Sequence, residues 1–374
     1  MAGLYVHIPF CASRCVYCAF FSTTRPGRQD AYVDALCQEM LLKKDFLAKS
    51  PADATIHTLY IGGGTPSMLS LDNFRRIAEC ARQTFPFHLE EFTVEVNPDD
   101  VTAKLAQGLA QLGVNRISMG AQTFDDRRLK FLHRRHKSTE VAEAVGLFRQ
   151  AGIGNISIDL MYGFPQETLE QWDHDISAAL QLGVEHLSAY CLTYEEGTPL
   201  MRLLEQGRVE EVSEETSLKM YERLMDRLSD AGYEHYEISN FALPGFRSKH
   251  NSSYWTDTPY LGIGAAAHSY NRLSRQWNVS HLDEYITRIG LGQLPTESES
   301  IDDATHYNDL ITTALRTHEG LPLALLPERF RRYALQSAQR YLATGELQLA
   351  NDHLRLTRKG LFVSDMIMAE LIFA

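Results

Sequence analysis

The sequence predicts an α/β fold: an open, partial (β/α)6 barrel over residues 1–240, then an α+β domain over residues 241–374 containing a small winged-helix-like unit. Three observations predict it. Through residues 1–240 short β-rich runs alternate with longer stretches of helical period, an order that right-handed crossovers turn into a parallel sheet. Gly113, Gly152 and Gly183 fall where three of the helices should stop, as a C-terminal helix cap prefers. The strand–helix units number six, too few for a complete eight-stranded barrel.

In order, strands are expected at 4–8, 58–61, 91–96, 115–119, 156–160 and 186–192. Helical periodicity falls between them, at 31–47, 71–85, 102–112, 139–151 and 169–182. After residue 240 the texture changes, and 241–280, rich in aromatics, Gly, Ser and Asn, reads as structured loop and short elements. Helices are expected again near 281–291, 302–317 and 327–343. Leu347-Gln-Leu and Leu354-Arg-Leu around Asn351-Asp352 read as a hairpin, and a final helix is expected over 358–372. Residues 301–374 carry eight Lys/Arg against nine Asp/Glu, which argues against DNA reading and makes packing the better role for the winged-helix-like unit.

The 374 residues are 44% apolar and 22% charged, the balance of a folded chain rather than a disordered one, and long enough for at least two domains. With 48 acidic residues against 36 basic ones, wholesale sequence-independent phosphate-backbone binding is not expected, nor is a nucleic-acid partner, and only a local basic patch stays open. No run approaches the ~20 apolar residues of a membrane span. The opening residues lack the charged start and long apolar run of a signal peptide. A cytoplasmic chain without stable membrane insertion is therefore expected, in a compartment that keeps thiols reduced. Cys37, Cys80 and Cys191 lie among apolar neighbours and read as small core residues.

Cys11, Cys15 and Cys18 need another account. They form C-x3-C-x2-C directly after the first strand, and three thiolates so close together suit one soft metal centre. The spacing admits zinc or an iron–sulfur cluster. Structural zinc asks for a fourth protein ligand, which Phe20 does not supply. A cluster held by three cysteines leaves one iron open to an exchangeable ligand.

The stretch Tyr5-Val-His-Ile-Pro-Phe-Cys11-x3-Cys15-x-Tyr17-Cys18 resembles the signature of the radical S-adenosylmethionine (SAM) family, within it the group of the oxygen-independent coproporphyrinogen III oxidase. The resemblance implies a partial barrel of the radical SAM type. It also implies a [4Fe–4S] cluster on Cys11, Cys15 and Cys18, with SAM chelating the remaining iron, Tyr17 against the adenine and Tyr5 among the SAM positions.

Further signals gather on the same rim. Gly62-Gly63-Gly64-Thr65-Pro66 follows the second strand, where missing side chains let the backbone approach a ligand or simply make a tight turn. By resemblance Gly63, Gly64 and Thr65 are SAM contacts. Glu95 ends the third strand, Gln122 follows the fourth and Asp159 ends the fifth. Parallel barrels concentrate chemistry at these C-terminal strand ends. A lone polar residue there is commonly a cap; this many on one rim points to a site, and all three join the expected SAM set. Arg134, in His133-Arg134-Arg135-His136-Lys137, reads either as a solvated helix end or as a fork for a SAM or propionate carboxylate, and the family pattern implies SAM.

Two features indicate the branch. The oxidase carries a further cysteine where this chain has Phe20, which argues against porphyrinogen decarboxylation. His250-Asn251-Ser252-Ser253-Tyr254-Trp255 resembles the H-N-x-x-Y-W motif of the haem-chaperone branch. It implies His250 as an axial ligand with Tyr254 and Trp255 on the macrocycle, although a histidine bonded to the backbone is the bland alternative. His268, in Gly262-Ile-Gly264-Ala-Ala-Ala-His268, is left open between haem and SAM. The expectation is a haem chaperone that binds the cluster, SAM and haem, and passes haem as cargo to an unidentified acceptor protein, with a homodimer as one arrangement. The competing readings are a radical SAM enzyme acting on a tetrapyrrole and a zinc-stabilised structural protein. No catalytic residue is assigned.

Overall fold

The computed structural model of the chain describes residues 2–49 and 54–373. Six parallel strands pair in sequence order: β1 (Ala2–Ile8), β2 (Ile56–Gly63), β3 (Phe87–Val96), β4 (Arg116–Gln122), β5 (Asn155–Tyr162) and β6 (His186–Cys191). The crossovers carry α1 (Gln29–Leu42), α2 (Leu71–Thr84), α3 (Ala103–Gln111), α4 (Asp126–Phe131), α5 (Ser138–Gln150) and α6 (Leu169–Gln181). Ser70, Thr102, Asp125 and Thr168 cap α2, α3, α4 and α6 by accepting backbone N–H groups of the first turn. Gly113, Gly152 and Gly183 take the left-handed conformation just past α3, α5 and α6. The helix expected over 31–47 stops at Leu42, where the chain turns and buries Phe46 and Leu47 in the core.

Alternation along the strands builds two unlike faces. Leu4, Val6 and Ile8, then Leu59 and Ile61, Phe92 and Val94, Ile117 and Met119, and Ile156 and Ile158 are fully buried in one apolar core. The residues between them are Tyr5 and His7, Thr58 and Tyr60, Glu91, Thr93 and Glu95, Arg116 and Ser118, Ser157 and Asp159, and His186 and Ser188. They bond to one another across the strands, as in Tyr60–Glu95, Ser118–Asp159 and Ser157–His186. The barrel interior is therefore polar from end to end.

The change of texture at residue 240 does not fall at a break in the sheet. With α7 (Pro199–Glu205) and α8 (Glu214–Asp230) between, β7 (Glu234–Glu237) and β8 (Asn240–Ala242) add antiparallel beside β6. After α9 (Lys249–Trp255), β9 (Tyr260–Ile263) returns to pair parallel with β1. Next come β10 (His268–Tyr270), β11 (Ser274–Asn278), α10 (Leu282–Gly290) and β12 (Thr296–Ser300), completing a twelve-stranded sheet among the described residues. These added strands are short, which is why they read as loop.

A second apolar core begins at Tyr307 and runs to Leu371. It holds α11 (Asp303–Ala314), β13 (Leu321–Pro322), α12 (Glu328–Thr344), β14 (Leu347–Ala350) and β15 (His353–Leu356), the last two joined by Asn351 and Asp352 at φ +51° and +60°. The final helix is not continuous: α13 (Arg358–Leu361) and α14 (Ser364–Leu371) are separated at Val363, whose backbone leaves helical geometry. Gly360 presses α13 so closely on Glu346 that a Cβ would meet its carbonyl, and α14 must bend away to reach α11 and α12. No helix among the described residues is long and apolar enough to cross a membrane.

Candidate functional site

The cysteine loop leaves the C-terminal end of β1 and is pinned along its length. Cys11 N–H donates to Thr23 O at 2.9 Å, and Arg14 donates to Ser22 Oγ and O at 3.1 and 2.8 Å. Val16 enters a small apolar cluster with Leu132, Met161 and Phe164. Cys11, Cys15 and Cys18 stay half-buried and without disulfides. Burial pushes the Cys11 and Cys18 thiols up, while the Thr65 hydroxyl draws Cys11 back down. Among the described residues, no three His, Cys, Asp or Glu side chains are close enough together to grip a single ion.

The glycine turn meets this loop directly. Gly64 N–H donates to Ile8 O at 2.8 Å. A Cβ on Gly64 would lie 3.0 Å from Cys11 Sγ and 2.9 Å from Phe10 O, so only glycine lets the strands close here. Thr65 Oγ1 donates to Cys11 Sγ at 3.5 Å and accepts from Asn97 Nδ2 at 3.4 Å. Gly63, at φ +118°, leaves room for the His7 ring, which a Cβ would approach to 2.6 Å.

Arg134 closes the ring from the opposite side. Its guanidinium donates to Asn97 Oδ1 at 2.8 Å, to the Gly120 carbonyl and, at 3.8 Å, to Cys15 Sγ. It is no solvated helix end; the neighbouring Arg135, paired with Asp99 and Asp100, takes that part. Gly120 has Gln122 Nε2 and Arg134 Nη2 lying 2.7 and 3.2 Å from its missing Cβ, which places Gln122 beside Arg134. Gln122 itself holds a left-handed backbone at φ +66°. Asp175 clamps the next two residues, accepting from Thr123 Oγ1 at 2.6 Å and Phe124 N–H at 2.9 Å. Tyr17 packs on the Val16 cluster, with Cys15, Cys18 and Arg134 as its polar neighbours.

Beneath this ring lie the acids. Glu95 accepts from Tyr60 Oη at 2.7 Å and from Gly63 N–H at 2.9 Å. Burial raises its carboxyl to about 7, Asp159 adds to the rise, and Tyr60, Gly63 and Arg116 oppose it. Asp159 accepts from Ser118 Oγ at 3.3 Å, and burial raises it too. Tyr5 Oη and His7 Nδ1 are 3.0 Å apart, and the Tyr5 ring faces Tyr60, which puts Tyr5 within the barrel below the loop. Deeper still, Arg116 is fully buried and none of its guanidinium nitrogens finds a protein partner.

The H-N-x-x-Y-W residues close the other end of the barrel. A Cβ on Gly3 would lie 3.2 Å from the His250 ring, whereas the cysteine loop follows Ile8. The five residue steps from Gly3 to Ile8 span about 16 Å. Glu91 caps the start of α9, accepting Lys249 and His250 N–H groups at 2.8 and 3.0 Å. His250 is 1% exposed. Its Nδ1 lies 2.8 Å from Thr58 Oγ1 and its Nε2 2.9 Å from Tyr254 Oη, and burial lowers its pKa to about 3. The open axial ligand expected from the motif is thus, in this structure, a neutral imidazole with both nitrogens engaged by hydroxyls. Tyr254 stands edge-on to His250 and Tyr260. Trp255 lies under the Arg316 guanidinium at 5.3 Å. His268 is exposed on β10, facing Trp277.

Sequence reasoning missed His7, Tyr60, Asn97 and Arg116. The available signal was the recurrence of polar residues at every second position inside otherwise apolar strands, which marks an inner face that core packing does not account for.

The Radical SAM superfamily model matches residues 5–179, and the model of the HemN C-terminal domain matches residues 301–363. The chain is 37% identical over 333 residues to the heme chaperone HemW of Lactococcus lactis subsp. lactis, covering 87% of this chain and 84% of that protein. It is 36% identical over 338 residues to the heme chaperone HemW of Bacillus subtilis, covering 89% and 88%. Among solved structures it is similar to coproporphyrinogen III oxidase (HemN) from Escherichia coli, a radical SAM enzyme, at TM-score 0.84 and 22% identity over 99% of this chain and 90% of that one. That likeness carries the fold.

Proposed function

Because the chain belongs to the radical SAM superfamily, and within it to the family of the HemW heme chaperones, we propose that it is a haem carrier whose barrel mouth holds a [4Fe–4S] cluster and SAM. One observation carries the cofactor assignment: the glycine turn and Arg134 touch the sulfurs of the cysteine loop, Thr65 at Cys11 and Arg134 at Cys15. The donor set fits the group, with three thiols free of disulfides on one pinned loop and a glycine, Gly64, where any side chain would press on Cys11 Sγ. Cys11, Cys15 and Cys18 would hold the cluster. When bound, such a cluster supplies one-electron chemistry and an iron open to SAM.

The chain's own residues do the rest. Gly63, Gly64 and Thr65 form the wall on which SAM would lie, Glu95 and Asp159 offer acceptors from below, and Gln122 and Arg134 offer donors from the far side. Tyr17 and Tyr5 bound the space above and beneath. Phe20, 72% exposed, stands where the oxidase group has its additional cysteine, leaving no thiol there for decarboxylation chemistry. Haem would engage the H-N-x-x-Y-W helix, with His250 exchanging the Tyr254 hydroxyl for iron and Tyr254 and Trp255 against the macrocycle. The haem then passes to an acceptor protein, and a cytoplasmic location suits the reduced thiols.

Anaerobic reconstitution of the full chain tests this. The expected result is equal iron and sulfide, a SAM-dependent change in the cluster spectrum and a Soret band on haemin addition that His250→Ala weakens. Robust formation of protoporphyrinogen from coproporphyrinogen III with SAM and reductant would overturn the carrier reading in favour of catalysis.

A further inference from the structure

The helix α9 that carries the H-N-x-x-Y-W motif is enclosed on two sides. The barrel floor holds the His250 ring through Thr58. On the other side α11 of the C-terminal unit packs against α9, and Arg316 covers Trp255. That unit owns a separate apolar core; Leu361 and Phe362 also pack against the barrel core, Phe362 edge-on to Tyr221 beside the Ile238–Arg316 bond, while the pairs at Glu319, Asp309 and His306 are polar. Along one edge the contacts are backbone bonds, Ile238 N–H to Arg316 O at 3.1 Å and His318 N–H to Tyr236 O at 3.0 Å. Along the other edge they are side-chain pairs, Arg275 with Asp309 at 2.6 Å and His306 with Asp257 at 3.1 Å. Asp257 lies two residues past Trp255, so this second edge also ties down the end of the motif helix.

A cavity of about 80 Å³ lies in this seam, lined by Tyr254, Tyr260 and Tyr270 on the barrel side and by Asp309, Leu310 and Thr313 of α11. It reaches Tyr254, the residue that occupies His250 Nε2. Pockets for molecules of drug size run to about 300–1,000 Å³, so a tetrapyrrole cannot enter while the seam is closed.

We infer that the C-terminal unit, residues 301–373, is a lid over the motif helix: it turns about the 316–318 strip, the Arg275–Asp309 and His306–Asp257 pairs part, and haem enters the widened cavity beside Tyr254. Polar contacts of this kind on the opening edge let one unit move on another, and the apolar contact of Phe362 with Tyr221 lies on the side of the hinge strip. In the closed form His250 is stored with both nitrogens satisfied and is kept from metal. Opening frees the Tyr254 hydroxyl to leave Nε2, so one motion uncovers the ligand and admits the cargo. The inference rests on the haem-carrier reading.

Stopped-flow mixing of the full chain with haemin tests it, using Asp309→Asn and His306→Gln as two independent seam variants. Arg340→Gln, whose exposed pair with Glu370 lies within the unit, is the control. The closed population limits the apparent association rate, and losing one half-exposed ion pair is expected to speed uptake about two- to five-fold in each seam variant. The control should match the parent chain, and amide hydrogen exchange should quicken along α9 in the seam variants only. If exchange along α9 quickens while uptake stays at the parent rate, haem does not enter by the seam and the lid is wrong. If neither exchange nor uptake changes, the seam is no latch and the lid is equally wrong. If His250→Ala takes up haemin as the parent does, the haem assignment itself fails and the lid with it.

Discussion

Tyr60→Phe asks whether Glu95 works as a carboxylate beneath the rim. Its carboxyl is lifted by burial from an ordinary 4.5 to about 7, and the Tyr60 hydroxyl is the strongest influence holding it down. The substitution deletes a 2.7 Å bond to Oε1. A hydrogen bond to a charged group contributes about 1.5–3 kcal/mol. At about 1.4 kcal/mol per tenfold change, its loss moves the ionisation up by one to two on the pH scale. If SAM needs the carboxylate, affinity in the parent chain falls as pH drops through about 7. In the variant it falls already below about pH 8–9. Stability moves in the opposite sense. A folded pKa above the unfolded one contributes stability that is complete below 4.5 and is lost as pH rises through 7, and Tyr60→Phe prolongs that loss into alkaline pH. Calorimetric titration of anaerobically reconstituted protein with SAM between pH 6 and 9.5, beside thermal melts over the same range, reads both. Superimposable profiles for parent and variant would refute the reasoning.

Three further outcomes are expected. Gly64→Ala forces a methyl to within 3.0 Å of Cys11 Sγ and 2.9 and 3.0 Å of two backbone carbonyls. Overpacking of this kind costs about 1–3 kcal/mol, so iron and sulfide after reconstitution should fall well below those of Gly146→Ala, whose Cβ meets nothing within 4 Å; equal iron contents would contradict this. Asp175→Ala removes the acceptor of Thr123 Oγ1 and Phe124 N–H beside Gln122. A loss of about 1.4 kcal/mol in the bound state weakens SAM about ten-fold, and a lowered melting temperature with unchanged SAM affinity would sever the link to Gln122. His250→Ala strands the hydroxyls of Thr58 and Tyr254. Urea unfolding of the haem-free chain should show a deficit of about 1–3 kcal/mol, and an unaltered midpoint would mean the barrel floor does not depend on that ring.

Much of the barrel was legible because its signals are local. Leu4, Val6 and Ile8 alternate with Tyr5 and His7, and Gly113, Gly152 and Gly183 stop their helices, whatever lies elsewhere in the chain. Residues 240–300 were not legible as part of the same sheet. The four residues of β9 carry no mark of their partner, and pairing with β1 is decided only when two segments far apart in the chain meet. The break at Val363 was hidden for a similar reason, since the close approach of Gly360 to Glu346 just before it involves a segment outside the helix.

The site divides along the same line. Spacing alone marked Cys11, Cys15 and Cys18 and the turn at Gly62–Gly64, because a loop of so few residues constrains its own side chains. Whether Arg134 faces solvent or sulfur, whether Glu95 holds a proton near neutrality, and whether His250 is offered or stored were decided only by the tertiary structure. Covalent neighbours determine conformation within a few residues, whereas burial, charge and hydrogen-bond partners come from segments tens to hundreds of residues away.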